Sequence, residues 1–436
     1  MIYRQIKFIH NILQTTLFKA FSIYTISSML NAALQFLLLP ILTRYLSPED
    51  YGIVAMYNLL FSVTSVFIGL SVHGSINRAY FDNKISNYKE FIWNCLIILF
   101  LTSIFIFLFY FLTRSYISSL FSIPPFIIWT LPILGFFQFV ILSLLSIYQA
   151  TQQAFKYAKI QIGQLILMFL LTIIFVMVLH LKWEGRILAQ IFGISLAGIV
   201  SFLILNKFYT EKKLNTQYIL YALKFGIPLI PHVIGGMLIS YSDRFIINIV
   251  IGVKAVGIYT VGYQIGMVLT IITESFNKAF APWLFNKLNE NNPMIKNKIV
   301  SFTYSYFFVI ILLAVLFFYL FKSFFHLLIG DKFKDADQVI FWILLGNAFG
   351  GMYFMVVNYI FYVNKTFFLA VITFLSGITN IPVTYLLTKL NGVVGAAQSY
   401  TFINFFTFIL TWYLSNKLYP MPWFKAVKNN FRGSIE

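Results

Sequence analysis

Apolar residues fill this chain in long blocks separated by short polar connections. The blocks lie at approximately 18–42, 52–80, 91–112, 122–148, 157–181, 186–206, 221–249, 257–280, 299–321, 338–362, 367–388 and 395–417. Each is long enough to span a hydrocarbon core of about 30 Å as a helix. The pattern predicts an all-α, polytopic membrane protein with about twelve transmembrane helices.

Composition agrees. The chain is 60% hydrophobic and 10% charged, with 51 Phe among 436 residues, too little charge to solubilise a domain of this size. No cleavable signal peptide is expected, because Arg4, Lys7 and Lys19 precede the first block without a small-residue cleavage site. The net charge of +18 would suggest nucleic acid in a soluble protein. Here roughly two-thirds of the basic residues fall on alternate connections, as the positive-inside rule requires if both termini are cytoplasmic. Much of the charge is therefore a topology signal, and no nucleic-acid partner is expected. The single cysteine, Cys95, argues against disulfide or Cys-rich metal chemistry.

The stretch NKFYTEKKLNTQ at 206–217 is the most polar connection near the middle. It divides the chain into an N-lobe, 1–210, and a C-lobe, 211–436, of six spans each. Two phrases repeat across that divide. SINRAY at 75–80 closes segment 2 and SFNKAF at 275–280 closes segment 8. YGI at 51–53 and VGI at 256–258 open the same two segments. Six is even, so both halves enter the membrane in the same direction, which predicts a parallel pseudo-two-fold repeat.

The stretch LPILTRYLSPEDYGIVAMYNLL at 39–60 resembles the segment 1–2 hairpin of Wzx-type polysaccharide flippases, which transport O-antigen and other lipid-linked oligosaccharides. SDRFIINIVIGVKAVGIYTVGYQI at 242–265 is similar to the segment 7–8 hairpin of that family, and LLIGDKFKDADQVIFWILLG at 327–346 to its segment 9–10 loop. The family belongs to the multidrug/oligosaccharidyl-lipid/polysaccharide exporter superfamily. The resemblance implies two six-helix lobes around a central cavity. It implies a multi-pass protein of the bacterial cell inner membrane that moves an undecaprenyl-diphosphate-linked oligosaccharide from the inner to the outer leaflet. Its partners would be that lipid, the bilayer and other polysaccharide assembly proteins.

Charged and polar residues within spans are costly and face a cavity or a partner. Segment 1 offers Asn31, Gln35 and Arg44; segment 2 His73, Asn77 and Arg78; segment 7 His232, Asp243 and Arg244; segment 8 Glu274, Asn277 and Lys278. On uninterrupted helices Arg78 lies ~39 Å and Lys278 ~31 Å along their spans, near the cytoplasmic boundary. Singly, each reads as a snorkelling cation. Together, at equivalent places in two lobes, they suggest a two-sided clamp on a diphosphate, with charge-assisted hydrogen bonds from both sides. Arg44, Arg244, Asn31, Gln35, Asn77 and Asn277 complete the candidate substrate set. Glu274 and Lys278, spaced i,i+4, read either as a self-neutralising pair or as a protonatable carboxylate beside a substrate cation. His73 and Asp243 are the other candidates for coupling or switching. Asp243 and Arg244 diverge by about 100° on a helix, which excludes a fork-to-fork pairing with each other and predicts partners on other helices. FGIPLIPHVIGG at 225–236 should disturb helix regularity, as a static kink or as a hinge.

No P-loop and no H-E-x-x-H occurs, so no ATP hydrolysis by that route, no resident metal and no cofactor are expected. Asp335-Ala336-Asp337 reads as a solvated cluster. A proton, Na⁺ or the membrane potential remain as driving forces. Besides the flippase, two readings stand: an ion-coupled multidrug exporter of the same superfamily, and a membrane polysaccharide polymerase or ligase. The first should line its cavity with acidic residues, and the second needs a large outside loop; neither feature is evident.

Overall fold

Ser47-Pro48-Glu49-Asp50 starts a helix for local reasons. The Ser47 hydroxyl accepts the Asp50 N–H at 3.1 Å, and the Asp50 carboxylate accepts the Ser47 N–H at 2.9 Å. Pro48 at the first helical position lacks only an N–H that has no partner there. This capping box opens the second segment.

The computed structural model describes residues 16–290, 292–363 and 365–423, which are helical almost throughout, with no strand among them. In chain order the helices are α1 Thr16–Tyr45, α2 Pro48–Phe67, α3 His73–Tyr80, α4 Tyr88–Phe121, α5 Thr130–Ala150, α6 Ala154–Thr172, α7 Lys182–Ile204, α8 Thr216–Gly226, α9 Ile230–Val250, α10 Val253–Asn289, α11 Pro293–Ser323, α12 Phe325–Leu328, α13 Asp337–Tyr362 and α14 Thr366–Leu418. Among the described residues, 10 helical stretches are long and apolar enough to cross a membrane. The last of them, in α14, holds two arms joined at Asn391 and Gly392, whose φ of 59° reverses the chain. Thr407 donates to Ser376 across the arms, and Thr384 and Ser399 share a hydrogen bond, both at 2.8 Å. With the apolar stretch Ala33–Tyr45 of α1, every segment read from the sequence has a helical counterpart. The chain is a multi-pass membrane protein.

Segment 2 departs from the single helix expected. It breaks after Phe67, where Gly69, Leu70 and Ser71 all have positive φ (70°, 48° and 59°). Two non-glycine residues in the left-handed region each cost on the order of 1 kcal/mol. Partners hold the break. The Thr102 hydroxyl accepts the Gly69 N–H at 2.9 Å. A Cβ on Gly226 would stand 2.2 Å from the Leu70 carbonyl oxygen, so α8 closes against the break only because residue 226 is glycine. The straight ~39 Å path to Arg78 is therefore interrupted, since the break re-aims α3.

Two compact units divide the chain, one through Ile234 and one from Gly235. The sequence places its boundary earlier, at the 206–217 connection. That connection is bound down within the first unit. Asn94, fully buried in α4, donates to the Lys213 carbonyl at 3.0 Å and accepts the Asn215 N–H at 2.9 Å. Asn215 Nδ2 donates to the buried Glu90 carboxylate at 3.0 Å, and Asn87 Nδ2 to Glu211 at 2.7 Å. The Tyr221 hydroxyl of α8 donates to Asp82 at 2.6 Å. Segment 7 is interrupted at Ile227–Leu229 by a tight turn containing Pro228, and the flanking Gly226 and Ile230 keep right-handed helical dihedrals. The FGIPLIPHVIGG stretch thus marks a tightening of the helix within the first unit, which ends a few residues later at Ile234.

Candidate functional site

α9 presents Asp243 and Arg244 side by side, 3% and 6% exposed. They touch through a single guanidinium nitrogen, without a fork-to-fork pairing. Asp243 Oδ1 accepts the Arg244 backbone N–H at 2.7 Å and Arg244 Nη1 at 3.1 Å. The 100° divergence of neighbouring helix positions excludes a two-pronged pairing, but a long arginine side chain can fold back and deliver one nitrogen. Partners on another helix exist as well. The Tyr259 hydroxyl of α10 donates to Asp243 Oδ2. The Arg244 guanidinium lies 4.2 Å from the Tyr263 ring centroid, with Tyr241 at 5.5 Å and Tyr259 at 5.7 Å. Stacking on rings offsets part of the cost of burying the cation.

The network continues through the second unit. Tyr263 meets Tyr400 edge-on at 5.5 Å. The Tyr400 hydroxyl donates to Asn347 Oδ1 at 2.6 Å, and Asn347 Nδ2 donates to the Gly266 carbonyl at 2.8 Å. One connected set therefore links α9, α10, α13 and α14. Arg244 Nη1 uses both its hydrogens, on Asp243 and on the Ser240 carbonyl at 2.8 Å. The three remaining guanidinium N–H groups have no acceptor among the described residues. Arginine keeps its charge at any working pH, so the buried group remains a cation with donors to offer.

The repeated phrases occupy different backbones. SINRAY lies in the short α3 behind the break, and SFNKAF within the 37-residue α10. Arg78 is exposed and rests its guanidinium 5.6 Å from the Phe225 ring of α8. Lys278 and Glu274 are both exposed and form no ion pair with each other. Asn277 Oδ1 accepts Asn358 Nδ2 at 2.8 Å, whereas Asn77 makes no hydrogen bond to another described residue. His73 packs edge-on against Phe139 at 5.5 Å, with Nδ1 buried and unpartnered. Arg44 and Gln35 are exposed on α1. The side chains of Asn31 and His232 lie outside the described residues.

Sequence reading missed several members. Tyr259, Tyr263, Tyr400 and Asn347 look like ordinary span residues until the fold gathers them around Asp243 and Arg244. A second polar chain runs from Ser242 to Asn380 Nδ2 at 2.8 Å, then from Asn380 Oδ1 to the Thr384 hydroxyl at 3.0 Å. Buried asparagines in apolar segments were the available signal, because a bare amide in hydrocarbon must find partners.

The same fold occurs in solved membrane transporters. Over 90% of this chain and 87% of the other, it is similar to the lipid II flippase MurJ in its inward closed conformation, with a TM-score of 0.71 at 12% identity. It is also similar to an inward-facing multidrug resistance MATE family transporter of the MOP superfamily, with a TM-score of 0.64 at 14% identity over 88% and 94% of the two chains. An uncharacterized membrane protein of Haemophilus influenzae is 27% identical over 358 residues, 80% of this chain and 85% of its own length. The family model for polysaccharide biosynthesis proteins matches residues 17–288. The chain belongs to that polysaccharide biosynthesis family.

Proposed function

We propose that the protein flips a polyprenyl-diphosphate-linked oligosaccharide, with undecaprenol as the lipid, from the inner to the outer leaflet of the bacterial cytoplasmic membrane. The observation that carries this reading is membership in the polysaccharide biosynthesis family on a fold similar to that of a lipid II flippase. The distribution of cations supports it. Arg78 and Lys278 stand exposed with no carboxylate of a described residue within ion-pair distance, although Arg78 lies near enough to Asp82 to act on its charge. In this reading both termini are cytoplasmic, Arg78 and Lys278 meet the diphosphate at the cytoplasmic face, and Arg244 holds it or its first sugar during passage. An anion leaving the negative interior gains about 2.3 kcal/mol per charge per 100 mV, so the potential alone can drive the step. Glu274, exposed and unpaired, is the carboxylate available to couple a proton or Na⁺.

The test is reconstitution into vesicles with an undecaprenyl-diphosphate-linked oligosaccharide carrying a fluorescent sugar. Potential-dependent loss of inner-leaflet probe supports the reading. No flipping, together with pH- or Na⁺-driven efflux of organic cation dyes, would favour the multidrug exporter suggested by the MATE-like fold.

A further inference from the structure

Arg186 is the one buried-side arginine of the first unit that no reading above uses. It lies four residues into α7, ~6 Å from the helix start. Its Nη1 donates to the Thr172 hydroxyl of α6 at 3.0 Å. The Tyr51 phenol of α2 is close enough to act on its charge, and no carboxylate of a described residue lies within ion-pair distance. Arg186 is itself part-exposed between the buried Gly185 and Ile187, and Thr172 is 0% exposed. On α7, Arg186 stands about 110° around the helix from the stripe of exposed Phe192, Leu196, Ile199 and Leu203. Gln190, one turn further on the same flank, is 7% exposed, and its amide makes no hydrogen bond to another described residue.

This contrasts with Arg244, whose charge is balanced by Asp243. Arginine cannot shed its proton as a buried lysine can. A cation whose partners are the neutral Thr172 hydroxyl and Tyr51 phenol is short of an anion, and a guanidinium fork matches a phosphate. Tyr45 stacks on His180 at 5.9 Å, and Phe126 lies 6.1 Å from Trp183, forming an aromatic belt at this end of α6 and α7.

We propose that Arg186, with Gln190, is a phosphate subsite for a lipid headgroup at the α6–α7 hairpin, the outer-leaflet end in the orientation above. The inference rests on the flippase reading only for the identity of the lipid. A diphosphate arriving after translocation and the phosphate of an ordinary anionic phospholipid present the same chemistry.

The experiment uses full-length protein in phosphatidylethanolamine nanodiscs, as wild type, Arg186→Gln, Arg186→Lys and Thr172→Val. Undecaprenyl diphosphate is titrated, and in parallel retained phosphatidylglycerol is counted by native mass spectrometry. Arg186→Gln should weaken undecaprenyl diphosphate about tenfold, the loss of one charge-assisted pair, with Arg186→Lys intermediate and Thr172→Val near wild type. If ordinary phospholipid is the occupant, Arg186→Gln instead loses retained phosphatidylglycerol while the titration is unchanged, and the subsite stands. Wild type that binds no undecaprenyl diphosphate, but retains phosphatidylglycerol through Arg186, would fell the flippase reading and keep the subsite. Arg186→Gln indistinguishable from wild type toward both lipids overturns the subsite. So does Thr172→Val matching Arg186→Gln, because Arg186 would then be a tether between helices.

Discussion

Asn358 Nδ2 donates to Asn277 Oδ1 at 2.8 Å, joining α13 to α10 inside the second copy of a phrase whose first copy has no such bond at Asn77. Asn358 is 3% exposed. Two positions that match in sequence thus differ in what they hold. Asn277→Ala should destabilise the protein by about 1 kcal/mol, the net worth of a hydrogen bond, and Asn77→Ala by less. Thermal unfolding in detergent, read by size-exclusion chromatography, checks the order. Equal losses would mean that the Asn277–Asn358 bond contributes nothing.

The cations that follow those two asparagines in sequence test the proposed diphosphate contact. Arg78→Gln and Lys278→Gln should each reduce export of surface polysaccharide, and the double variant should nearly abolish it at matched protein levels. Arg78 also covers the Phe225 ring, so its single variant should lose slightly more stability than that of Lys278. Normal polymer in the double variant would assign both residues to topology alone.

Breaking the Asp243–Arg244 pair from one side should be worse than removing it. Asp243→Asn leaves a buried guanidinium without its counter-charge, a loss of about 3–5 kcal/mol. Asp243→Asn with Arg244→Gln should recover much of that stability but not transport, if the open donors of Arg244 hold substrate. Tyr259→Phe, which removes one hydrogen bond to a charged acceptor, should cost about 2 kcal/mol. A double variant that transports normally would make the pair structural only.

Acid should loosen α8 from the first unit. The Tyr221 hydroxyl, followed by the Lys84 N–H, holds the Asp82 carboxyl below the usual carboxylate range. The folded chain therefore binds that proton more weakly than the unfolded chain. The contribution is complete above a pH of about 4 and is lost as pH falls below it. Wild type should lose more melting temperature than Tyr221→Phe between pH 7 and about pH 3.5, and Tyr221→Phe should already be lower at pH 7. Parallel losses in the two proteins would rule out this bond as the acid-sensitive contact.

The twelve spans, their helical character and the likeness to polysaccharide flippases were legible in the chain itself. Hydrocarbon leaves each segment to satisfy its own backbone, so length and apolarity within one segment decide whether it crosses. Local chemistry was legible for the same reason: Ser47 and Asp50 cap α2 within four residues, and Pro228 marks the tightening of segment 7. Contacts between segments were not. Periodicity placed Asp243 and Arg244 100° apart, and only a folded side chain and Tyr259 on the next helix made them a pair. The polar 206–217 connection reads as a linker until Asn94 and Glu90, more than a hundred residues earlier, bind it. The break at Gly69–Ser71 has no proline to announce it; Thr102 and the small surface of Gly226 hold it open. Such features depend on which helices become neighbours and how closely they approach. Hydropathy along one segment carries no record of that choice, and the tertiary structure alone decides it.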